Sequence, residues 1–481
     1  MSNAIYLIVF IATTVLISYH LWHSRLLPRA AQPEISVGFG IEHISDPILC
    51  HQLIECKQAR GSKPKRLSIQ KARAPPNQRL RNVFNIDNGF TSTDPIFVDK
   101  FVREASQRIK LGSLEWLKLG LMLLHTSRQW ISVGFNTDSW KSRQCNSVPP
   151  SPPASHCSDK LDITSLVQVL TLKATLATVL KGEAENCPKD FEMLHLAQQI
   201  NRGWIQSKIN TWAGDDIRGI DFQHNDPLRT TLNALFPQAG PEQNPLNLLL
   251  PSFETMWRVV LRALLELKFQ SGRDHPEWGK AIETFCRDPT KAKFEKRPTL
   301  REDLSTTADA KGDVQSNRGV EPSVKDIVME ALRLYPPTRR IYRAYEWEDT
   351  TAKYGPGNLR EVEAVGRTSS KIIAADIEAC HLRSDIWGPG AARFDPSRWM
   401  NITPDQKSAF MPFGYGVCEC PAKAVFGPWM IAILVGALLS ALDDDGWTLW
   451  CADDRVMRCL ASEERLMMGR DAYDELKIFR S

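Results

Sequence analysis

The stretch FGYGVCEC, Phe413–Cys420, constrains this chain most: it packs two glycines and two cysteines into a loop that runs on through PAKAVFGPWMIAILVGALL. Gly414 and Gly416 let the backbone turn tightly and approach a flat partner that side chains would obstruct. Cys420 falls at the mouth of a predicted helix. There, unpaired backbone N–H groups and the helix dipole stabilise a thiolate, the form of cysteine that binds metal. Zinc would need four ligands at matched spacing, and no second Cys/His pair is placed to complete such a set. A buried structural thiol is the ordinary alternative for either Cys418 or Cys420. The following run, PWMIAILVGALLSAL, is too short to span a bilayer and reads as a buried core helix.

A different apolar run lies at the N-terminus. Ala4–Trp22 contains no Asp, Glu, Lys or Arg and approaches the ~20 residues a helix needs to cross the hydrocarbon layer. Arg25 and Arg29 follow it, and positive charge on that flank favours a retained anchor with the rest of the chain in the cytosol. Residues 1–24 are therefore expected to be a membrane anchor, 25–45 a linker and 46–481 a single large domain. Asn146–Asp159 is rich in Pro and Ser and reads as a surface loop, and the polar stretch Arg287–Ser323 reads as a mobile connection. Ser165–Leu180, Leu248–Phe269 and Val324–Tyr335 show helical apolar spacing, whereas SKIIAAD, WTLW and LKIF read as short strands. The fold class is mainly α with a small β-sheet. With a net charge of +4 and no dense Lys/Arg block, nucleic acid is not an expected partner. Eleven scattered cysteines fit free thiols in a reducing compartment.

The cysteine loop resembles that of the haem-thiolate monooxygenases, the cytochrome P450 family, which reads Phe, two residues, Gly, three residues, Cys, one residue, then Gly or Ala. Phe413, Gly416, Cys420 and Ala422 match, and this register identifies Cys420, not Cys418, as the axial iron ligand. Glu330 and Arg333 match the family's Glu-x-x-Arg, and Phe394, Pro396 and Arg398 its Phe-x-Pro-x-Arg. The likeness implies that Arg398 joins the Glu330–Arg333 pair as a structural brace, and that Arg343 holds a haem propionate. Pro251–Thr255, PSFET, stands for the central-helix motif, with Glu254 and Thr255 as its acid and alcohol. Pro251 is expected to open that helix, with Ser252 offering a hydroxyl to the gap, unless the proline merely begins a first helical turn. Two departures stand out: Cys418 replaces the usual propionate-binding Arg or His, and Trp116 is followed by Gly120 where the family completes Trp-x-x-x-Arg.

What the resemblance implies is a cytochrome P450-like fold behind an N-terminal transmembrane helix. It also implies haem b (iron protoporphyrin IX) bound through Cys420, Phe413, Gly416 and Arg343, with Cys420 on the metal and Glu254 and Thr255 relaying protons. The chain would then oxidise a lipophilic small molecule in fungal secondary-metabolite biosynthesis. It would use O2 and electrons from an NADPH-cytochrome P450 reductase, at the endoplasmic reticulum membrane with the catalytic domain cytosolic. A haem-thiolate isomerase or dehydratase that needs no O2, and a non-catalytic haem-binding relative, are the alternatives.

Overall fold

The computed structural model describes residues 41–57, 67–133, 160–181, 189–213, 221–240, 243–298, 320–348, 368–443, 446–462 and 464–480. Ala4–Trp22, most of the 25–45 linker, Asn146–Asp159 and residues 299–319 of the polar connection lie outside them. Among the described residues no helix is long and apolar enough to cross a membrane. Contacts divide the chain into Met1–Glu42 and His43–Ser481, and the second unit carries every helix described below.

The elements run β1 (Glu42–Ile44), α1 (Pro47–Ile54), α2 (Ile69–Phe84), α3 (Pro95–Arg108), α4 (Ser113–Val133), β2 (Leu161–Asp162), α5 (Ile163–Thr178), α6 (Asp190–Ala213), α7 (Asp226–Leu235) and α8 (Leu246–Leu249). A π-helical turn, Leu250–Glu254, leads into α9 (Thr255–Phe269). There follow α10 (Pro276–Arg287), α11 (Lys291–Glu295), α12 (Val324–Leu334), β3 (Arg340–Glu348), β4 (Thr368–Asp376), α13 (Ile377–Leu382), α14 (Ser384–Trp387), α15 (Pro404–Ala409), α16 (Phe426–Ala441), β5 (Trp447–Trp450), α17 (Asp454–Ala461) and β6 (Lys477–Arg480). Among the described residues two small sheets have orders β1-β4-β3 and β2-β6-β5. In the first, Arg343 pairs with Ile373 antiparallel, and in the second Leu161 pairs with Ile478.

The run after the cysteine loop does form a core helix. All of α16 except Trp429 is buried, as expected of a helix apolar on every side. Helices α4 and α10 close on it, and small residues set the spacing. A Cβ on Gly120 would lie 2.4 Å from the Cys286 carbonyl oxygen, and one on Gly436 2.6 Å from the Cys286 Cβ. Trp116 packs against Phe426 and Trp429, with ring centres 5.9 and 5.4 Å away. Trp116 and Gly120 therefore serve helix packing in this chain, which accounts for the missing arginine. Helix α12 starts in a reciprocal cap: Asp326 N donates to Ser323 Oγ at 3.2 Å and Ser323 N donates back to Asp326 Oδ2 at 2.9 Å.

Candidate functional site

The cysteine loop is held at both ends. Gly414 and Gly416 adopt φ of 79° and 56°, the left-handed region that favours glycine, and a Cβ on Gly416 would meet the side chain of Glu55, the residue that ends α1. Tyr415 stacks on His51 of α1, with ring centres 3.5 Å apart and planes 2° from parallel. Cys420 N donates to the Phe413 carbonyl at 2.8 Å, which closes the loop and fixes the register from Phe413 to Cys420. Phe413 lies over Gly427, where a Cβ would come within 2.9 Å of its ring.

Cys420 does not sit directly on α16. It caps a single 3-10 turn, Pro421–Lys423, and α16 begins only at Phe426. The N–H group that reaches its sulfur is that of Ala422. Cys420 is exposed, yet enough protein surrounds it that burial pushes the thiol above its ordinary value, against the pull of the Ala422 hydrogen bond. The dipole of α16 is thus set back from the sulfur, and one backbone N–H takes its place. Cys418 is half-buried and packs against the Cys50, Leu53 and Ile54 cluster.

Behind the loop, the Glu330–Arg333 pair is fully buried, and Arg398 joins it. Glu330 accepts from Arg333 Nε at 2.8 Å, Arg333 Nη2 at 2.7 Å, Arg398 Nε at 2.9 Å, Asp395 N at 3.0 Å and Trp399 Nε1 at 2.9 Å. Arg333 Nη1 donates onward to the carbonyls of His381 and Ala391 at 2.8 and 2.6 Å. His381 carries the brace to the loop. Its Nε2 accepts from Met411 N at 3.0 Å while Nδ1 donates to the Arg333 carbonyl at 2.9 Å, an arrangement that requires neutral imidazole. Burial depresses its pKa to about 3. His381 belongs to no motif, and nothing in the sequence around it marks this role.

Pro251 opens the central helix. Because α8 precedes it, the proline is interior, and the first-turn alternative is excluded. Pro251 has no N–H for the Asn247 carbonyl, and Asn88 Nδ2, from the loop after α2, donates to that carbonyl at 3.1 Å. Ser252 Oγ donates to the Leu248 carbonyl at 2.7 Å, so its hydroxyl serves the backbone instead of the gap. Thr255 is half-buried and donates to the Pro251 carbonyl at 2.8 Å. Glu254 is fully buried, ion-paired to Arg470, 3.8 Å from Arg258 Nε and 3.3 Å from Trp257 Nε1. Neither Asn88 nor Arg470 was visible in the sequence as a site residue, since each meets the helix from far along the chain.

No family model matches this chain. It is 31% identical over 131 residues to cytochrome P450 734A4 of Oryza sativa subsp. japonica, covering 26% of this chain and 24% of that protein. It is 30% identical over 135 residues to the cytochrome P450 monooxygenase apdE of Emericella nidulans, covering 27% and 24%. A 56-residue match at 38% identity links it to the benzoate 4-monooxygenase bphA of Aspergillus niger, covering 11% of each. The chain thus matches a quarter or less of the length of these relatives. These matches bear out the resemblance to the cytochrome P450 family. Among solved P450s, a variant of cytochrome P450 OleT in complex with arachidonic acid is similar at 11% identity and a TM-score of 0.47, over 85% of this chain and 84% of that one.

The resemblance to the P450 family implies a haem with a cysteine thiolate ligand, and the residues present fit one. The exposed Cys420 supplies the soft donor. Near Cys418, Arg343 donates through Nε and Nη2 to the Ile54 carbonyl at 3.2 and 2.9 Å, and through Nη1 to the Tyr342 carbonyl. Arg73 of α2 lies close enough to feel both Arg343 and Cys418, and its buried Nε has no hydrogen-bond partner. An unsatisfied guanidinium nitrogen beside a second arginine is what a propionate would complete. Arg73 thus offers the cation that Cys418 cannot, a replacement from more than 300 residues away in sequence that no local motif records.

Proposed function

We propose that this P450 is a haem-thiolate monooxygenase that oxidises a lipophilic small molecule with O2 and electrons from an NADPH-cytochrome P450 reductase. The observation that carries the reading is the opened helix at Pro251–Thr255, in a chain whose Cys420 loop has the register of the thiolate ligand. Haem b held by Cys420, with Phe413, Gly416 and Arg343 about it, would supply O–O cleavage favoured by the electron-rich thiolate. The chain's own residues do the rest. Glu330, Arg333, Arg398 and His381 hold the cysteine loop in place. Thr255, tied to the Pro251 carbonyl, keeps a hydroxyl acceptor at the opening, and Glu254 beside it completes a proton path. Residues 1–24 anchor the domain to the endoplasmic reticulum membrane with its catalytic part cytosolic, a reading supported by the uncharged run Ala4–Trp22. Likeness to named fungal monooxygenases supports a place in secondary-metabolite biosynthesis.

Two variants test the reading. Cys420→Ala should abolish the thiolate-specific carbon monoxide difference spectrum while Cys418→Ala keeps it. Thr255→Ala should keep haem but release more peroxide and less product per NADPH consumed. Turnover that persists without O2 or reductase would refute the assignment and favour an isomerase.

A further inference from the structure

Charge near the π-helical turn does not balance. Arg470, in the loop before β6, places its guanidinium carbon 4.5 Å from the centre of the Trp204 ring, and Arg79 of α2 places its own 5.3 Å from the same ring. Arg79 Nη1 also donates to Ser207 Oγ at 2.5 Å. Trp204, Ser207 and Lys208 lie within about one turn of each other on α6, and Arg79 of α2 and Arg470 reach this face from other parts of the chain. Arg258, on α9, donates to the Pro337 carbonyl at 2.6 Å. Arg339 is already committed to Glu378.

Against Arg79, Lys208, Arg258 and Arg470, the acid that meets any of them in an ion pair among the described residues is Glu254. Of the four, only Arg258 and Arg470 reach that carboxylate, and among the described residues no acid pairs with Arg79 or Lys208. Burial drives Arg79 and Arg258 down to about 10, so both guanidiniums stay charged at neutral pH. Lys208 is exposed to solvent; the protein crowding its ammonium, and after it Arg470, Arg79 and Arg258, nonetheless drive it down to about 7. Like charges held together where protein displaces water are costly unless an anion joins them.

We infer that this cluster is an anion subsite, and that the substrate is a lipophilic acid whose carboxylate is held among Arg79, Lys208 and Arg470 beside the opened helix. The guanidinium forks match a planar carboxylate, and the Trp204 ring offers an apolar face next to them. The inference rests on the oxidase reading above and narrows its substrate class.

The test measures binding alone, by calorimetry on the haem-loaded protein without reductase, using dodecanoate, hexadecanoate and benzoate, each against its methyl ester. At least one acid should bind about tenfold or more tightly than its ester, as charge-assisted hydrogen bonds allow. Lys208→Met and Arg79→Gln should each remove about tenfold of that preference and leave ester binding unchanged. Esters binding as well as acids in all three pairs, or a preference untouched by both variants, would overturn the inference. An acid preference without O2-dependent product would leave the subsite standing and fell the oxidase reading instead. O2-dependent product from neutral substrates only would do the reverse.

Discussion

Glu330→Ala offers the sharpest test of how the cysteine loop is held. The carboxylate is the common acceptor for two guanidiniums, an indole N–H and a backbone N–H. On its removal, Arg398 keeps carbonyl partners at Trp387 and Gly390 and a carboxylate oxygen of Asp395 at 3.8 Å. Arg333 keeps carbonyls and the face of the Trp387 ring, 5.0 Å from its guanidinium carbon, but no carboxylate. The uncompensated charge therefore falls on Arg333, and stranding one partner of a buried pair costs about 3–5 kcal/mol. Set against a total stability of about 5–15 kcal/mol, that is a large share. The variant should show a lower urea midpoint and lose haem. Glu330→Ala combined with Arg333→Met, which removes the stranded charge, should recover part of the loss, giving a coupling energy of about 1–3 kcal/mol. Arg333→Lys should not substitute, because an ammonium cannot span the carboxylate and two carbonyls with a planar fork. A single variant with normal haem content and an unchanged midpoint, or strictly additive effects in the double, would refute the brace.

Asn88→Leu removes the donor to the Asn247 carbonyl beside Pro251 and should cost about 1–3 kcal/mol in denaturant unfolding. The loss should be smaller in an Asn88→Leu, Pro251→Ala double, where the restored N–H can serve that carbonyl. His381 sets an acid limit: the unfolded imidazole takes a proton near 6.5 while the folded one resists until about 3, so stability should fall as pH drops between those values. His381→Leu, though less stable, should show a shallower slope in that window, and an unchanged slope would place the acid sensitivity elsewhere.

Much of the proximal side was legible because its residues lie in short, fixed spacings. The interval from Phe413 to Cys420 reflects one closed loop, and the three-residue interval from Glu330 to Arg333 places both on one helical face. The opening at Pro251 was legible for a similar reason, since a missing N–H acts locally. Strand β3 was not, because Arg343, Ala344 and Tyr345 are all buried in succession and no alternation marks the run. Arg73, Asn88, His381 and Arg470 were hidden for another reason. Each acts on a partner distant in sequence, and nothing around it distinguishes it from an ordinary polar residue.

The close approach of α4, α10 and α16 has a consequence for thiol chemistry. Cys286 is fully buried at that junction, with its Sγ 3.3 Å from the Ile433 carbonyl, and burial pushes its thiol up to about 12. Gly120 and Gly436 bring the neighbouring helices so near that no alkylating reagent fits beside it. Modification of Cys286 must wait until the three helices separate, whereas Cys420 faces solvent in the folded protein when nothing covers it. Labelling the two thiols in parallel would thus give one chain two clocks, one running on the breathing of its helical core and the other on the uncovering of its ligand loop.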